Sequence, residues 1–357
     1  MMKNNPFFSV VMPVYGVEKH LSHAIDSVLS QTYQDFEIIL VNDSSPDGSA
    51  AICDKYSMCD DRISVIHHEK NKGLSEARNS GLAKATGKYI WFMDSDDYVD
   101  SDLLEKVHKS LERNYADVVI FGLVEEYFDK NSELKYTKVV SMPETFIRDE
   151  KDIREIAIQL EENTLYGYAW NKFYRLEYLR EHRLKFETIT LIEDIKFNVQ
   201  YFQHIQSMNL LDITPYHYGK RIDNSLTSKF VKDYFQLHEM RVRLIYEQYQ
   251  SWGCCSAEIK KKLAAIYARY ILSAMQRNCD RRSNYTIRGR YQWNKHLFES
   301  EFFNLLKDFM EPNSRVMSII MPLIKNKQNM LCLIVGRGVF VVKNKLPIVF
   351  AQIKDNR

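Results

Sequence analysis

The stretch FEIILVNDSSPDGS, residues 36–49, contains the pattern that decides the fold. Its first six residues are apolar except for one glutamate, which predicts a short buried strand. The rest of the stretch is rich in Asn, Asp, Ser, Pro and Gly, which form turns and cap helices. The apolar side chains that follow predict a helix over residues 50–56. The stretch therefore predicts one strand–turn–helix unit.

The same unit recurs on both sides of this stretch. Apolar runs predict strands over residues 7–14, 63–67 and 88–93, and helical spacing predicts helices over residues 21–29 and 75–85. Strands that alternate with helices in this way form a mainly parallel sheet, so we expect an α/β, Rossmann-like fold. Such sheets bind ligands at the carboxyl ends of their strands. Four polar clusters fall there, at residues 15–18, 42–47, 68–73 and 94–97.

Length and composition exclude several classes of protein. The 357 residues correspond to about two domains. A hydrophobic content of 45% and a charged content of 27% exclude a disordered or fibrous chain. The net charge of +2 does not favour nucleic acid as a partner. No apolar run reaches the roughly 20 residues of a membrane span, and residues 7–14 are expected to form a strand rather than a signal peptide.

The cysteines indicate the redox compartment. The chain has six cysteines and no CxxC pair. A disulfide framework is not expected in a chain this long with so few cysteines. The sequence therefore predicts free thiols in a reducing cytosol.

The polar cluster from Asp94 to Asp97 directly follows an apolar strand. Carboxylates this close repel one another unless a cation lies among them. Mg²⁺ and Mn²⁺ bind one or two carboxylates together with substrate phosphates, so the cluster predicts a divalent metal site. The alternative is that Asp97 or Asp100 caps a helix that begins at Ser101.

Three further polar residues lie near neighbouring strand ends. Asp43 either contacts a base or ribose, or forms an Asx turn or helix cap. Asn71 lies two residues before Gly73, which permits close approach of the backbone to a ligand. Arg78 can meet a phosphate or a carboxylate with its planar guanidinium, and an ion pair with an Asp of residues 94–97 is the competing account.

The second half of the chain has a different pattern. From about residue 230 we expect helices over residues 234–249, 257–277 and 297–309. The predicted domains are therefore residues 1–228 and a mostly helical region over residues 229–357. Residues 312–357 hold eight basic residues and one acidic residue among large apolar side chains. Such a stretch lies on an anionic membrane surface or forms the solvated face of a packed helix or hairpin, and both interpretations stay open.

Five motifs occur in order: VVMPVYG at residues 10–16, SVLSQTY at 27–33, FEIILVNDSSPDGS at 36–49, NKGLSEARNSGL at 71–82 and GKYIWFMDSDD at 87–97. In these motifs the sequence resembles family 2 of the glycosyltransferases. The resemblance covers residues 8–98 and extends more loosely to about residue 228. It implies a GT-A fold that binds a nucleotide sugar, and a reaction that inverts the configuration of the transferred sugar.

The resemblance also implies roles for individual residues. Asp43 would bond the uracil ring, Asp94 would face the ribose, and Asp96 would hold the metal that bridges the diphosphate, with Asp94 as its partner in the DxD pair. The implied cofactor is Mn²⁺ or Mg²⁺. The other residues implied at the nucleotide sugar are Pro13, Val14, Tyr15, Glu18, Asn71, Arg78 and Ser95.

Glu193 and Asp194 stand before apolar residues at helical spacing. Two carboxylates at a helix start are also ordinary compensation of the helix dipole. The resembled family carries such a pair, in which one carboxylate accepts the proton of the acceptor hydroxyl. We expect Asp194 to be this base and Glu193 to assist it.

The segment YAWNK, residues 168–172, resembles a further element of the family. Here Trp170 is expected to stack on a donor or acceptor sugar, with Lys172 beside it, although a core Trp is the competing account.

Residues 216–225 resemble the segment that closes over the diphosphate, with Lys220, Arg221 and Ser225 as the implied contacts. Gly219 stands where relatives often carry Arg, which puts the role of Arg221 in question. His217 is a further candidate metal ligand, although an isolated His is more often structural.

These inferences together predict a metal-dependent, inverting glycosyltransferase that uses a UDP-sugar. The expected acceptor is a lipid-linked glycan in a bacterial surface polysaccharide pathway such as capsule. The expected location is the cytoplasm, with peripheral attachment to the inner face of the cell membrane, and a homodimer is left open. The alternatives are a sugar nucleotidyltransferase, which lacks its usual Gly-rich loop here, and a non-catalytic UDP-sugar-binding partner, which intact Asp96 and Asp194 disfavour.

Overall fold

The computed structural model describes residues 5–129, 131, 133–189, 191–221, 230–312 and 315–345, with the backbone alone at residues 221, 315 and 316. The chain divides into two compact units, Met1–Lys229 and Phe230–Arg357. The boundary expected from the sequence, between residues 228 and 229, lies one residue from this division.

The first unit begins with alternating strands and helices. The strands are β1 (Phe8–Val14), β2 (Phe36–Asn42), β3 (Ile63–His67) and β4 (Tyr89–Phe92), and the helices are α1 (Glu18–Leu29), α2 (Ser49–Cys59) and α3 (Leu74–Lys84). The four strands are parallel, in the order β3-β2-β1-β4. The predicted strands and helices of this part are confirmed, and α2 extends three residues beyond its predicted end.

The sheet continues with strands from the rest of the first unit. These are β5 (Tyr98–Val99), β6 (Val118–Phe128), β7 (Leu134–Val140), β8 (Thr145–Ile147), β9 (Lys172–Arg175) and β10 (Met208–Arg221). The helices are α4 (Leu103–Arg113), α5 (Glu150–Glu162), α6 (Leu176–Glu181) and α7 (Glu193–Tyr201). β9 joins β4 and β6 antiparallel, and β6 pairs parallel with β10. A parallel half therefore continues into a mixed half, and the α/β fold class is confirmed.

Close packing of α3 on the sheet positions the second turn of that helix. Every residue of β1 is buried. A Cβ atom at Gly81 would overlap the side chain of Val11, so glycine there lets α3 lie close to β1. Because α3 begins at the carboxyl edge of the parallel strands, this contact places Arg78 beside that edge.

The second unit is helical. Its helices are α8 (Tyr234–Ser251), α9 (Ala257–Arg277), α10 (Ile287–Glu299), α11 (Glu301–Leu306), α12 (Arg315–Lys325) and α13 (Asn329–Lys345), with short 3₁₀ turns at Arg281–Ser283 and Lys307–Phe309. The helices predicted over residues 234–249 and 257–277 are confirmed. Within the parts of the chain that the structure describes, no helix combines the length and apolar character needed to cross a bilayer.

The single helix predicted over residues 297–309 is wrong, because the chain turns at Ser300. This residue has extended backbone angles, with φ −63° and ψ 144°, which end α10. Its hydroxyl oxygen accepts the N–H of Phe303 at 3.3 Å and so caps the start of α11.

Candidate active site

The carboxyl ends of β1, β2 and β4 are joined by hydrogen bonds. The N–H of Asp43 donates to the carbonyl of Val14 at 2.9 Å, and the hydroxyl of Ser95 donates to the carbonyl of Pro13 at 2.6 Å. Ser95 and the side chains of Pro13 and Val14 are buried. These three residues therefore shape the edge of the sheet, while Tyr15, the next residue, is exposed.

Two loops that follow β1 and β2 are also bonded to each other. One carboxylate oxygen of Glu18 accepts the N–H of Gly48 at 3.0 Å, at the start of α2. The N–H of Glu18 in turn donates to Asp47 at 3.0 Å. Glu18 is exposed, and its carboxylate lies beside the loop that follows β2. A ligand that contacts this carboxylate would therefore also lie beside that loop.

Asp43 holds the loop before α3. Its Oδ1 accepts the N–H of Lys72 at 2.8 Å and lies 2.6 Å from Nδ1 of His68, and its Oδ2 accepts the N–H of Gly73 at 2.8 Å. Gly73 has φ +88°, a left-handed conformation that favours glycine. Asp43 is buried in this arrangement, and Asn71 is exposed on the same loop.

Arg78 joins two carboxylates that come from distant parts of the chain. Its Nη1 donates to Oδ1 of Asp194 at 2.5 Å, and its Nη2 donates to Oδ1 of Asp94 at 3.0 Å. The Arg78 side chain is buried, and its Nε has no hydrogen-bond partner among the described residues. Burial opposes the charge, but Asp194 and Asp94 raise the pKa of Arg78 above its usual value. The pair with Asp94 is the alternative that the sequence left open, and the structure contains it.

Glu193 and Asp194 form the first turn of α7. The second oxygen of Asp194, Oδ2, accepts the backbone N–H of Ala169 at 3.1 Å, so the carboxylate is held from two sides. Oε2 of Glu193 is buried and lacks a hydrogen-bond partner within the described parts of the chain. Burial and then the charge of Asp194 raise the pKa of Glu193 to about 7. Both carboxylates thus lie at the start of α7, one held by two donors and one buried without a donor.

The three aspartates after β4 have different surroundings. Asp96 is exposed, Asp94 is half-buried and Asp97 is buried. Burial raises the pKa of Asp94 to about 6, with Asp96 and Asp194 adding to the rise and Arg78 opposing it. Asp97 accepts the hydroxyl of Tyr216 at 2.8 Å and the N–H of Gly219 at 3.1 Å.

The helix-cap alternative for this cluster is wrong. α4 begins at Leu103, and Asp102 is the residue before it. Asp97 is bonded to β10, and Oδ1 of Asp100 lies 3.2 Å from Nε2 of His217. The carboxylates of residues 94–97 therefore lie at the sheet edge rather than at a helix start.

The donor set fits a divalent cation only in part. Carboxylate oxygens are hard ligands that Mg²⁺ and Mn²⁺ accept, and the mutual repulsion of Asp94 and Asp96 would be relieved by a cation. Across the described residues, no group of three or more His, Cys, Asp or Glu side chains is arranged to hold a metal ion. An ion here would need further oxygen ligands, such as those of a diphosphate.

His217 is not placed as a metal ligand. Its Nδ1 lies 2.9 Å from Oε1 of Glu126, and its Nε2 is the atom near Asp100. The imidazole also stacks on Tyr98, with 4.3 Å between the ring centroids. Because both ring nitrogens already face carboxylates, we withdraw His217 from the candidate ligands.

A cavity of about 310 Å³ opens beside Asp96. Its other lining residues include Tyr98, Glu126 and His217 from the strands, and His20 and His23 from α1. This volume is at the lower end of the range for small-molecule sites.

Trp170 and Lys172 are buried, which favours the core interpretation over the expected contact with a sugar. Trp170 is 3% exposed, and its ring stacks on Tyr168 and Tyr216. Lys172 is 0% exposed, and its ammonium donates to the carbonyls of Leu165 at 2.7 Å and Tyr168 at 2.6 Å. The motif therefore builds the core beneath the site, and the half-exposed aromatic ring is Tyr168.

The segment expected at the diphosphate is described in part. Nζ of Lys220 lies 2.5 Å from Oε1 of Glu125 and 3.3 Å from the hydroxyl of Tyr127. The side chain of Arg221 and all of Ser225 lie outside the described residues. A phosphate contact by any of these three residues stays a prediction.

Three groups that hold these residues in place were not predicted from the sequence. Glu126, Tyr168 and Tyr216 each contact a candidate residue. Glu126 stands in none of the motifs, and the motifs that begin with Tyr168 and Tyr216 do not specify these contacts. Tyr216 lies two residues before Tyr218 on β10, a spacing that places both side chains on one face of the sheet. That spacing predicts the shared face, but it does not predict the hydrogen bond from Tyr216 to Asp97.

Comparison with known proteins places this arrangement in a family. The model of glycosyl transferase family 2 matches residues 9–183. The uncharacterized glycosyltransferase EpsJ of Bacillus subtilis is 34% identical over 263 residues, covering 71% of this chain and 74% of EpsJ. The minor teichoic acid biosynthesis protein GgaB of the same organism is 31% identical over 235 residues, covering 64% of this chain and 25% of GgaB.

A solved structure supports the fold. The crystal structure of S. aureus TarS 1–349 in complex with UDP-GlcNAc aligns with a TM-score of 0.63 and 19% sequence identity, covering 95% of this chain and 91% of that chain. The GT-A fold implied by the sequence motifs is therefore confirmed. On the family model and the similarity to EpsJ, this chain belongs to glycosyl transferase family 2 and is a glycosyltransferase.

Proposed function

We propose that this glycosyltransferase moves a hexose or N-acetylhexosamine from a UDP-sugar to a hydroxyl of a glycan acceptor, with inversion of configuration. The observation that carries the proposal is the position of Arg78, which holds the carboxylate of Asp194 next to Asp94 of the DxD pair. The buried guanidinium of Arg78 thus bonds both the proposed proton acceptor, Asp194, and a candidate residue for the nucleotide and the metal, Asp94.

The role of Asp194 follows from the chemistry of the acceptor. A sugar hydroxyl is a poor nucleophile, so a base must take its proton as the new bond forms. In the proposed step the acceptor oxygen attacks the anomeric carbon, the proton passes to Asp194, and the bond from that carbon to the diphosphate oxygen breaks. One displacement of this kind inverts the anomeric configuration. Glu193, with a pKa raised to about 7, can receive or return a proton beside it.

The departing UDP needs positive charge nearby. Asp96, with Asp94, would hold Mn²⁺ or Mg²⁺, and when bound such an ion supplies charge that stabilises the diphosphate. Arg78 keeps Asp94 ionised against the effect of burial, so the oxygen ligand stays available at neutral pH. Exposed Tyr15 and the loop that Asp43 holds, with Asn71, would form the nucleotide side of the site.

The acceptor class is proposed from the relatives. EpsJ and GgaB are bacterial proteins, and GgaB is named for teichoic acid biosynthesis. We therefore propose a place in bacterial surface polysaccharide synthesis, with a lipid-linked glycan as acceptor and the cytoplasm as location. TarS binds UDP-GlcNAc, which supports a UDP-sugar as the donor. The bonded pair of Arg78 and Asp194 favours an active enzyme over a non-catalytic partner.

A donor screen tests the proposal. The purified protein is incubated with Mn²⁺ and separate UDP- and GDP-sugars, and release of the nucleoside diphosphate by slow hydrolysis is measured, with EDTA as the control. EDTA-sensitive release from one UDP-sugar is the expected result. Release from a GDP-sugar alone, or release that EDTA leaves unchanged, would contradict the donor or the metal.

A further inference from the structure

The last two helices of the described chain carry charge of one sign. Residues 315–345, which contain α12 and α13, hold six basic residues and no acidic residue. Arg337 and Lys345 are exposed on α13. This segment therefore attracts anionic surfaces at short range.

The same helices expose large apolar side chains. Ile319 on α12 is 71% exposed, and on α13 Ile334 is 67% and Met330 64% exposed, with Leu331 beside them. Met330, Ile334 and Arg337 follow one another at intervals of four and three residues, so they lie along one side of α13. We call the exposed set of Ile319, Met330, Leu331, Ile334 and Arg337 the basic apolar face.

The opposite sides of both helices are buried, which fixes the orientation of this face. Met317, Met321 and Ile324 of α12 are buried, as is Cys332 of α13. Gly336 lies so close to α9 that an added Cβ would be 2.9 Å from the carbonyl oxygen of Met275. Since the inner side of α13 packs this tightly, its outer side cannot turn inward to hide the apolar residues.

We infer that the basic apolar face docks on the surface of an anionic lipid bilayer. Exposed Ile and Met side chains can enter the boundary between headgroups and acyl chains, while Arg337 and Lys345 meet anionic headgroups. A second copy of the chain is a poorer occupant. In a two-fold dimer the same patch meets itself, so Arg337 of each copy would lie near the like charge of the other.

The inference rests on the proposed function in one respect, since a lipid-linked acceptor gives the enzyme a reason to lie on a membrane. Docking in this way would hold the protein at the surface where such an acceptor is anchored. Lipid binding and nucleotide release are separate measurements, so either proposal can fail without the other.

The test uses the full chain and two kinds of vesicle, one of phosphatidylcholine and one of equal parts phosphatidylcholine and phosphatidylglycerol. We expect the protein to float with the anionic vesicles, and not with the neutral ones, and to be released by high salt. The affinity of the double variant Ile319→Asp, Ile334→Asp for anionic vesicles should fall by about tenfold or more, because two apolar side chains no longer enter the bilayer. The double variant Arg337→Glu, Lys345→Glu should lose binding to a similar extent.

Two control variants match these changes on the first unit. Met58 is 84% exposed on α2, and Lys151 is an exposed residue of α5. Met58→Asp and Lys151→Glu should bind anionic vesicles as the unaltered protein does. All variants should keep the rate of donor hydrolysis, which shows that they are folded.

Two results would overturn the inference. The first is vesicle binding that does not depend on anionic lipid or that survives both double variants. The second is a protein that ignores vesicles but forms a dimer in light scattering, which the Ile319→Asp, Ile334→Asp variant separates into monomers. That result would assign the face to self-association.

Discussion

The guanidinium of Arg78 on α3 lies 2.5 Å from the carboxylate of Asp194 on α7, although 116 positions of sequence separate the two residues. The same guanidinium bonds Asp94, at the end of β4. Because a buried cation with two carboxylates needs both partners in place, this contact couples the candidate base to the DxD pair. The proposed base, Asp194, and the residue expected at the donor, Asp94, thus both depend on Arg78.

Replacement of Arg78 tests this coupling. Arg78→Met should lower turnover by about a hundredfold or more, because Asp194 and Asp94 then lie near each other without a positive charge. The pKa of Asp94, already raised to about 6, should rise further, so the acid limb of the pH–rate profile should move to higher pH. Arg78→Lys should be intermediate, since an ammonium keeps the charge but not the two-pronged geometry.

The control for Arg78 is Arg113→Met, a change at an exposed arginine of α4. It should leave both turnover and the pH–rate profile as they are. Thermal unfolding of each variant identifies the temperature range in which rates are measured on folded protein. Full turnover in Arg78→Met with an unshifted profile would contradict the coupling.

Lys172 provides a test of the corrected assignment to the core. Lys172→Met should lower the free energy of unfolding by about 2 kcal/mol, because the buried carbonyls of Leu165 and Tyr168 lose their donor. Urea titration measures the change. The exposed Lys151→Met should stay within about 0.5 kcal/mol of the unaltered protein. A raised KM with unchanged stability in Lys172→Met would instead return this lysine to a sugar-binding role.

Variants of Asp96 and His217 test the proposed metal site and the withdrawal of His217 from it. Calorimetry should show that Mn²⁺ increases the affinity for UDP. In Asp96→Ala this increase should be smaller by a factor of about ten or more. His217→Gln should keep the gain, because His217 is held by Glu126 and Asp100. The reverse pattern would restore His217 as the ligand, and equal UDP affinity with and without Mn²⁺ would remove the metal from the account.

Titration of His238, in the helical unit, is expected to make stability depend on pH. Burial, with Arg241 and Arg277 adding to it, lowers the pKa of His238 from 6.5 to about 3, and its ring stacks on Tyr270. As the pH falls through 6.5, His238 therefore becomes protonated in the unfolded chain but stays neutral in the folded chain. Stability should fall as the pH drops below this value, by up to about 1.4 kcal/mol per pH unit from this one group.

Comparison with His238→Phe isolates this effect. Phenylalanine keeps a ring for the stack but does not titrate. Urea midpoints at pH 7 and pH 5 should therefore differ less in His238→Phe than in the unaltered protein. Equal differences in the two proteins would show that His238 is protonated in the folded state.

The sheet and most helices could be predicted because local patterns encode them. The strand over residues 63–67 and the helix over residues 257–277 have the bounds expected from apolar spacing alone. The error at Ser300 has a local cause. Its side chain caps a new helix, while the apolar spacing continues across the break. Spacing reports which face is buried, not whether the axis turns.

The site could be predicted only where residues follow strand ends. Asp43 and Asp94 were located by this rule, since parallel strands bring their carboxyl ends together. The expected sugar contacts of Trp170 and Lys172 were not found because a motif does not indicate burial. Lys172 has the charge of a surface residue but lies in the core. The bond between Arg78 and Asp194 depends on how α3 and α7 pack, which no local pattern contains.

The most direct test of the account is the rate of nucleoside diphosphate release by Asp194→Asn, measured beside its UDP affinity. Asparagine keeps the size of the side chain and removes the proton-accepting carboxylate. We predict that release from the preferred UDP-sugar in Mn²⁺ falls by about a thousandfold while UDP binds with unchanged affinity. Release at the rate of the unaltered enzyme would contradict Asp194 as the base and with it the proposed reaction.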